Sequence, residues 1–364
     1  MLILAVIVLI IIVAVNLFMH GAQFGAYPQG ESLQKIRASP NFRDGQFQNL
    51  SSTPQLTEGA TFLKILKKFF FDKSGQRIPP APLPSVKSDL LNLNKDQNIL
   101  VWFGHSSYFM QVDGRTFLVD PVFSGNASPL RFTTKSFKGS DIYSVPDFPD
   151  IDYLIISHDH WDHLDYRTIL QLKPKVKKVI TGLGTTAHLI SWGYERNRIE
   201  ERDWSEEITN EVGFIINTTP ARHFSGRGFK RNRSIWLSFV LTTPSKKIFI
   251  GGDSGYDLHF ADIGNRYGPF DLAILENGQY NKYWKYIHMS PEETVQAALD
   301  LKADKLLPVH WAKFSLSIHS WDEPIIRIKK ESVRRNINLI HPMIGEIVYL
   351  DANQVFRPWW QGIS

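Results

Sequence analysis

The chain has 364 residues, 43% hydrophobic and 21% charged, a balance that belongs to ordinary globular proteins and excludes wholesale disorder. Its formal charge is +5 and its pI near 9.1, an excess of base spread along the chain; that suits an anionic substrate or a membrane surface and is only weak evidence for nucleic acid, which is not expected as a partner. There is no cysteine, so disulfides, thiolate nucleophiles and cysteine-held zinc fingers are excluded, and a metal would have to be held by nitrogen and oxygen.

From Leu2 to Met19 the chain is apolar apart from Asn16. At about 1.5 Å per residue this run makes roughly 27 Å of helix, enough to span a bilayer. No Lys or Arg precedes it and no small-x-small pair follows closely, which favours an uncleaved single-pass anchor over residues 1–20 rather than a cleaved leader. The nearest basic residues, Lys35, Arg37 and Arg43, lie on its C-terminal side and place the main domain in the cytoplasm by the positive-inside rule. Residues 21–96 read as a connecting segment and lead-in, with a turn at Ser39-Pro40-Asn41 and an extended proline-rich stretch from Ile78 to Pro84. Between them Phe62, Leu63, Ile65, Leu66, Phe69 and Phe70 recur at helical spacing, with Lys64, Lys67 and Lys68 interleaved. This predicts an amphipathic helix. Packing on the domain is the commoner fate of such a helix, and lying on an anionic membrane is the alternative.

Residues 97–364 read as the compact main domain. Ile99 to Phe103 and Ser107 to Val112 lead to an Asp113-Gly114 turn and then Arg115 to Asp120, a hairpin signature. Further strands are predicted at Ile151 to Ile156, Val176 to Thr181, Gly213 to Thr219, Ile235 to Thr242, Lys247 to Gly251, Leu272 to Leu275 and Lys305 to Val309. Helices are predicted after His163, around Thr185 to Ser191, and from Pro291 to Leu301, the last opened by Ser290 with Pro291 and Glu293 in capping positions.

The chemistry concentrates behind one of these strands. Leu154, Ile155 and Ile156 are followed at once by Ser157-His158-Asp159-His160-Trp161-Asp162-His163. A chance cluster of imidazoles and carboxylates should be solvated, because burying each without a partner costs a few kcal/mol; behind a wholly apolar strand it reads as a metal site. In an extended segment His158, His160 and Asp162 point one way and His163 another, so one loop can feed two adjacent ions. His223, Asp253 and His310 also stand just past apolar strands, where ligands from separate strands can converge on one edge of a layered fold.

This pattern resembles the metallo-β-lactamase superfamily, and within it the branch of the N-acylphosphatidylethanolamine-hydrolysing phospholipase D and the ascorbate-phosphate lactonases. The residues that carry the resemblance are Trp102 to Ser107, Asp120-Pro121-Val122-Phe123, Ser157 to Asp165, His223, Gly251 to Gly255, Glu276-Asn277-Gly278 and Pro308 to Trp311. The resemblance implies a four-layer αβ/βα sandwich of mixed sheets with the site at one edge. It implies that His158, His160 and His223 hold one zinc, that Asp162, His163 and His310 hold a second, and that Asp253 bridges both, with manganese or iron as alternatives by ligand type. The nucleophile would be a hydroxide shared by the two ions. His288 matches a position beside the metals in the phospholipases and, with Asp162, is the candidate catalytic residue, positioning substrate or protonating the leaving group; a helix-capping role competes. His105 is expected to face the substrate or brace a ligand, and a packed core histidine is the alternative. Asp120 is expected to hold a ligand imidazole by its far N–H, unless it is a plain turn residue. Arg222, Arg227, Lys230, Arg231 and Arg233 crowd the loop around His223, where guanidinium groups would suit a phosphate, and Tyr280, Tyr283, Trp161 and Trp284 could line an apolar channel. Both groups have bland readings, as a solvated loop and as packing. His20, His188, His259 and His319 carry no motif and are expected to be structural.

The expected function is therefore that of a membrane-anchored dizinc hydrolase cleaving a phosphodiester, with a phospholipid of the N-acylphosphatidylethanolamine type as its substrate. A lactonase or ester hydrolase acting on a soluble anion is the alternative. A non-catalytic, membrane-tethered binding protein of the same fold is the reading from another class, and the filled ligand positions argue against it.

Overall fold

The computed structural model describes residues 1–71, 75–211 and 213–363. Helix α1, Leu2–Met19, buries none of its residues in the rest of the protein and is long and apolar enough to cross a membrane. Helix α2 (Gly30–Ala38) and a small hairpin, β1 (Phe42–Arg43) with β2 (Gln46–Phe47), follow. Ile36 and Phe47 sink into the main core, so this stretch lies on the body of the protein. Helix α3, Phe62–Phe71, is the amphipathic one; the side chain of Phe70 lies outside what is described.

The first sheet is built from β3 (Ile99–Trp102), β4 (Tyr108–Val112), β5 (Arg115–Val119), β6 (Ile151–Ile156), β7 (Val176–Gly182) and β8 (Ile199–Arg202), with α4 (Tyr166–Leu172) and α5 (Thr186–Ser191) in the crossovers. The second contains β9 (Glu207–Glu211), β10 (Phe214–Pro220), β11 (Leu237–Thr242), β12 (Lys247–Ile250), β13 (Leu272–Glu276), β14 (Lys305–Val309) and β15 (Asn338–Leu339), with α6 (His259–Tyr267), α7 (Pro291–Asp300) and α8 (Glu323–Arg335) between them. Strand β16 (Ile347–Tyr349) returns to pair with β3. Each sheet has seven strands, in the orders β16-β3-β4-β5-β6-β7-β8 and β15-β14-β13-β12-β11-β10-β9. Both are antiparallel at one side and parallel at the other, where helices make the crossovers.

The first sheet is covered on both faces, which is why its strands read as unbroken apolar runs. Leu100, Trp102, Met110, Tyr153 and Ile155 meet Phe239, Leu241 and Phe249 of the second sheet. Their neighbours Ile99, Val101, Leu154 and Ile156 instead pack with Ile169, Leu172 and Leu189 of α4 and α5. Truncating a ring such as Phe239, which is 0% exposed, would cost about 3–5 kcal/mol through lost transfer energy and a residual cavity.

Local signals are met where the sequence is explicit. Asp113 and Gly114 take φ values of 47° and 73°, as the tight turn between β4 and β5 requires. At α7 the Ser290 hydroxyl accepts from the Glu293 N–H while Glu293 accepts from the Ser290 N–H. The strand expected from Ile235 begins at Leu237, because the Ile235 N–H donates to Leu183 of the other sheet. Strands β8, β9, β15 and β16 and helices α2, α6 and α8 were not expected. Strand β9 carries Glu207 and Glu211 on an edge, and β15 is two residues long, so neither has an apolar run to betray it.

All the ligand-bearing segments leave the sheets at one edge. Ser157 follows β6, His223 lies just past β10, Asp253 just past β12 and His310 directly past β14.

Candidate metal centre

Three imidazoles converge first. His158 Nε2 is 2.9 Å from His160 Nδ1, and His223 Nε2 is 3.3 Å from that same atom. The far nitrogens of two of these rings are committed elsewhere. His223 Nδ1 donates to the Ile287 carbonyl at 2.9 Å. The Ser157 hydroxyl donates to Asp120 at 2.6 Å and so is left to accept from His158 Nδ1 at 3.0 Å. In their neutral forms both rings therefore turn bare Nε2 lone pairs toward His160, whose single Nδ1–H could satisfy only one of them. His160 Nε2 makes no hydrogen bond among the described residues.

Beside this triad lies a second group formed by Asp162, His163 and His310 with His105. His163 Nδ1 donates to Asp120 at 2.8 Å, which leaves its Nε2 facing Asp253 at 3.2 Å and Asp162 at 3.6 Å. Asp253 stands between the groups, with Oδ2 3.7 Å from His223 Nε2 and 3.9 Å from His158 Nε2, and Oδ1 3.2 Å from His310 Nδ1. Burial holds His158, His223 and His310 well below the ordinary imidazole pKa and brings His160 down to about 4. Burial also works against charge on His163, but Asp253, Asp162 and Asp120 together outweigh it and raise that pKa well above normal. Ionised carboxylates facing mostly neutral, outward-braced imidazoles form a donor set that fits a cation, and His163 Nε2, buried and without a hydrogen bond among the described residues, points between Asp253 and Asp162 into the same place.

The remaining expected residues divide. Asp120 holds His163 and also takes the N–H and hydroxyl of Ser157, so it fixes the whole loop. His105 Nε2 donates to Asp162 at 2.9 Å, bracing that carboxylate. His105 and His310 exchange backbone contacts with each other's neighbourhood, both in the left-handed region at φ 52° and 69°, a strain typical of functional sites. His288 Nδ1 is 2.6 Å from Glu276 Oε2, and burial pushes the Glu276 carboxyl up to about 7. Glu276 belongs to the Glu276-Asn277-Gly278 motif, yet nothing in its spacing gives it that task. Ser106, which meets His310 Nδ1 at 2.9 Å, and Asn49, which brackets the backbone of His223 from both sides, were missed as well. Asn49 lies far away in sequence, and no local signal could have found it.

Arg222 is a correction. Its guanidinium is not turned to substrate but donates to Thr53 Oγ1 and to the carbonyls of Ser52 and Tyr256, so its donors are spent on the protein. Arg227 is likewise consumed. It is 4% exposed, donates to the carbonyls of Asp159, Leu164 and Gln23, and lies 3.9 Å over the Trp161 ring. Trp161 thereby packs on Arg227 and on Phe24, away from the cavity over the cluster. Tyr280 does not line the cavity over the cluster but the one beside it, and its hydroxyl donates to Glu323 at 2.8 Å.

Two cavities meet at His288. One, of about 450 Å³, lies over the cluster and is walled by Phe62, Ile65, Leu66 and Phe69 of α3 together with Trp284. The other, of about 520 Å³, is rimmed by Lys68, Lys282, Lys285 and Arg327 beside Tyr280 and Tyr283.

The profile of the Beta-lactamase superfamily domain matches residues 115–311, which contain every residue of the convergent cluster except His105. An uncharacterized Mycobacterium tuberculosis protein is 34% identical over 348 residues, covering 94% of this chain and 93% of its own. The chain belongs to the metallo-β-lactamase superfamily. Within it, the N-acyl-phosphatidylethanolamine-hydrolyzing phospholipase D 1 of Caenorhabditis elegans is 29% identical over 291 residues, 74% of this chain and 80% of that protein. Among solved structures, a metallo hydrolase of Ignicoccus hospitalis matches with a TM-score of 0.53 at 22% identity, covering 69% of this chain and 97% of that one, and so shares the fold. The superfamily fold, with His and Asp side chains positioned for metal, makes this a metal-dependent hydrolase.

Proposed function

We propose that the chain is a membrane-anchored dinuclear zinc hydrolase that cleaves the phosphodiester of a phospholipid of the N-acylphosphatidylethanolamine type. The observation that carries this reading is the pair of cavities joined at His288, one apolar and over the cluster, the other rimmed by lysines. A substrate with an apolar body and an anionic or polar head fits that division, and a small soluble lactone uses neither half well. The likeness to the Caenorhabditis elegans phospholipase and the apolar helix α1 support it.

In this reading His158, His160 and His223 hold one zinc, Asp162, His163 and His310 hold the other, and Asp253 serves both. Two such cations lower the pKa of a water they share and draw negative charge off a phosphoryl group. The protein's own side chains supply the rest. Asp120 and His105 hold His163 and Asp162 in place, so the ligand set need not reorganise as charge develops. A water that has given one proton to solvent adds its oxygen to phosphorus, the P–O bond to the head-group alcohol breaks, the remaining ring nitrogen of His288 gives the departing oxygen its proton, and solvent reprotonates His288. Glu276 keeps His288 oriented and favours its protonated form. Phe62, Leu66 and Phe69 give one side of the cavity an apolar wall.

The test is a turnover assay on the full chain in mixed micelles, with N-acylphosphatidylethanolamine, a short-chain phosphodiester and a lactone panel, alongside a metal count. Release of phosphatidic acid at the highest kcat/KM supports the reading. A lactone turned over faster than any phosphodiester would replace it with the lactonase, and a chain holding less than a single ion would favour the binding protein.

A further inference from the structure

The exit of α1 is fastened to the metal-binding loop. Trp192 Nε1 donates to the Ala22 carbonyl at 2.7 Å, the Ala26 N–H donates to His188 Nδ1 at 3.1 Å, and Phe24 meets Trp161 edge to face at 5.2 Å. Arg227 ties the Gln23 carbonyl to those of Asp159 and Leu164, both within the loop that carries His158, His160, Asp162 and His163. Gly25 sits so close that a Cβ there would lie 2.1 Å from His188 Nδ1. The position of α1 relative to the sandwich is therefore set by packed, hydrogen-bonded contacts and not by a slack linker.

Two loops flank the helix at that exit. In residues 226–231, Gly228 abuts the Met19 side chain, and Phe229, 82% exposed, shares a cavity of about 730 Å³ with Ile11, Ile12 and Val15. At about 1.5 Å per residue, Val15 and Ile11 lie roughly 6 and 12 Å beyond the level of Met19 along the helix. In residues 126–133, Phe132 is 72% exposed and, with Leu130 and Arg131, shares a cavity with Phe18. Arg131, Lys230 and Arg231 stand exposed beside these rings and make no ion pair among the described residues. If α1 lies in a bilayer, the fixed exit carries Phe229 and Phe132 to the depth of its last turns, with basic groups at head-group level.

We propose that these two loops form a collar that enters the membrane interface with α1, the occupant being a lipid surface bearing anionic head groups. The proposal rests on the reading of α1 as a membrane helix. Its partner follows from continuity with that helix and from the charge of the rim.

The absence of cysteine allows a direct test. Single variants Phe229→Cys, Phe132→Cys, Leu9→Cys and Val355→Cys of the full chain are labelled with an environment-sensitive fluorophore and placed in nanodiscs containing anionic phospholipid. Val355 is 95% exposed, and its neighbours Gln354 and Phe356 lie with Lys305 and Asn338 at the starts of β14 and β15, opposite the metal edge. Labels at Phe229 and Phe132 are expected to emit several-fold more strongly than the label at Val355 and to lose that emission when the lipids carry a spin-label quencher. If the Leu9 label is quenched while those at Phe132 and Phe229 match Val355, the membrane helix stands and the collar is overturned. If no label is quenched, Leu9 included, the membrane reading falls and takes the collar with it. Labels at Phe132 and Phe229 that are shielded from water but insensitive to the lipid quencher would mean that protein covers these loops, which also overturns the proposal.

Discussion

The two sheets contribute to the candidate centre in different ways. The first delivers His158, His160, Asp162 and His163 from one short loop behind β6, held by Asp120. The second delivers His223, Asp253 and His310 one at a time from the ends of β10, β12 and β14, and adds His288 with Glu276. The loop can be organised locally, whereas the scattered ligands meet only once the sheet has formed. The first half thus preorganises a donor cluster, and the second half closes it and brings the His288–Glu276 pair beside it.

That contrast can be broken most forcefully at Asp253, the carboxylate between the two groups. Asp253→Ala is expected to reduce activity to background and metal content to less than a single ion per chain, read by elemental analysis; retention of both metals would deny it the shared position. Next, His288→Gln is expected to lower kcat by about 10²–10⁴-fold, the usual worth of a positioned proton donor, while leaving metal content unchanged. Loss of metal in this variant would make His288 a ligand and blur the division between the halves. Third, Asp120→Asn is expected to weaken metal retention by about 10–100-fold in chelator competition, as removal of a ligand's outer partner does. The smallest effect concerns His259, whose Nε2 lies 3.3 Å from the hydroxyl of Ser254, next to Asp253. Burial brings its folded pKa down to about 4. A depressed folded pKa means that the unfolded chain binds the proton first on acidification, so stability is full above the unfolded value and is lost as pH falls toward the folded one. Between about pH 7.5 and about pH 5.5 this amounts to about 1 kcal/mol, and His259→Gln should flatten the loss of unfolding free energy by that much, read as a smaller fall in Tm over the same range.

How much could be read in advance follows the same division. The loop behind β6 was legible because its candidate ligands are close together and follow an apolar strand; alternation separated His163 from His158 and His160 but placed Asp162 with them, whereas the chain turns at 161–163 and Asp162 groups with His163. His223, Asp253 and His310 were legible as strand-end residues, but their convergence came from the family resemblance. The braces were not legible: Asn49 reaches His223 across 174 positions, and Glu276 reaches His288 through the fold. Arg222 failed for a physical reason. A cluster of charge in sequence says nothing about where guanidinium donors are spent, and here backbone carbonyls and a hydroxyl consume them. Charged edge strands such as β9 were invisible because their pairing is carried by the backbone.

The fastening of α1 at Ala22, Gln23 and Ala26 has a mechanical consequence. If α1 spans a bilayer, a hydrocarbon layer thinner than its roughly 27 Å would be met by leaning. Here the lean could not be absorbed by a swivel, and the whole sandwich would rotate with the helix. Acyl-chain length in the surrounding lipid would then set the angle at which the cavity mouth meets the surface, and turnover in short-chain and long-chain bilayers would differ even with the substrate held constant.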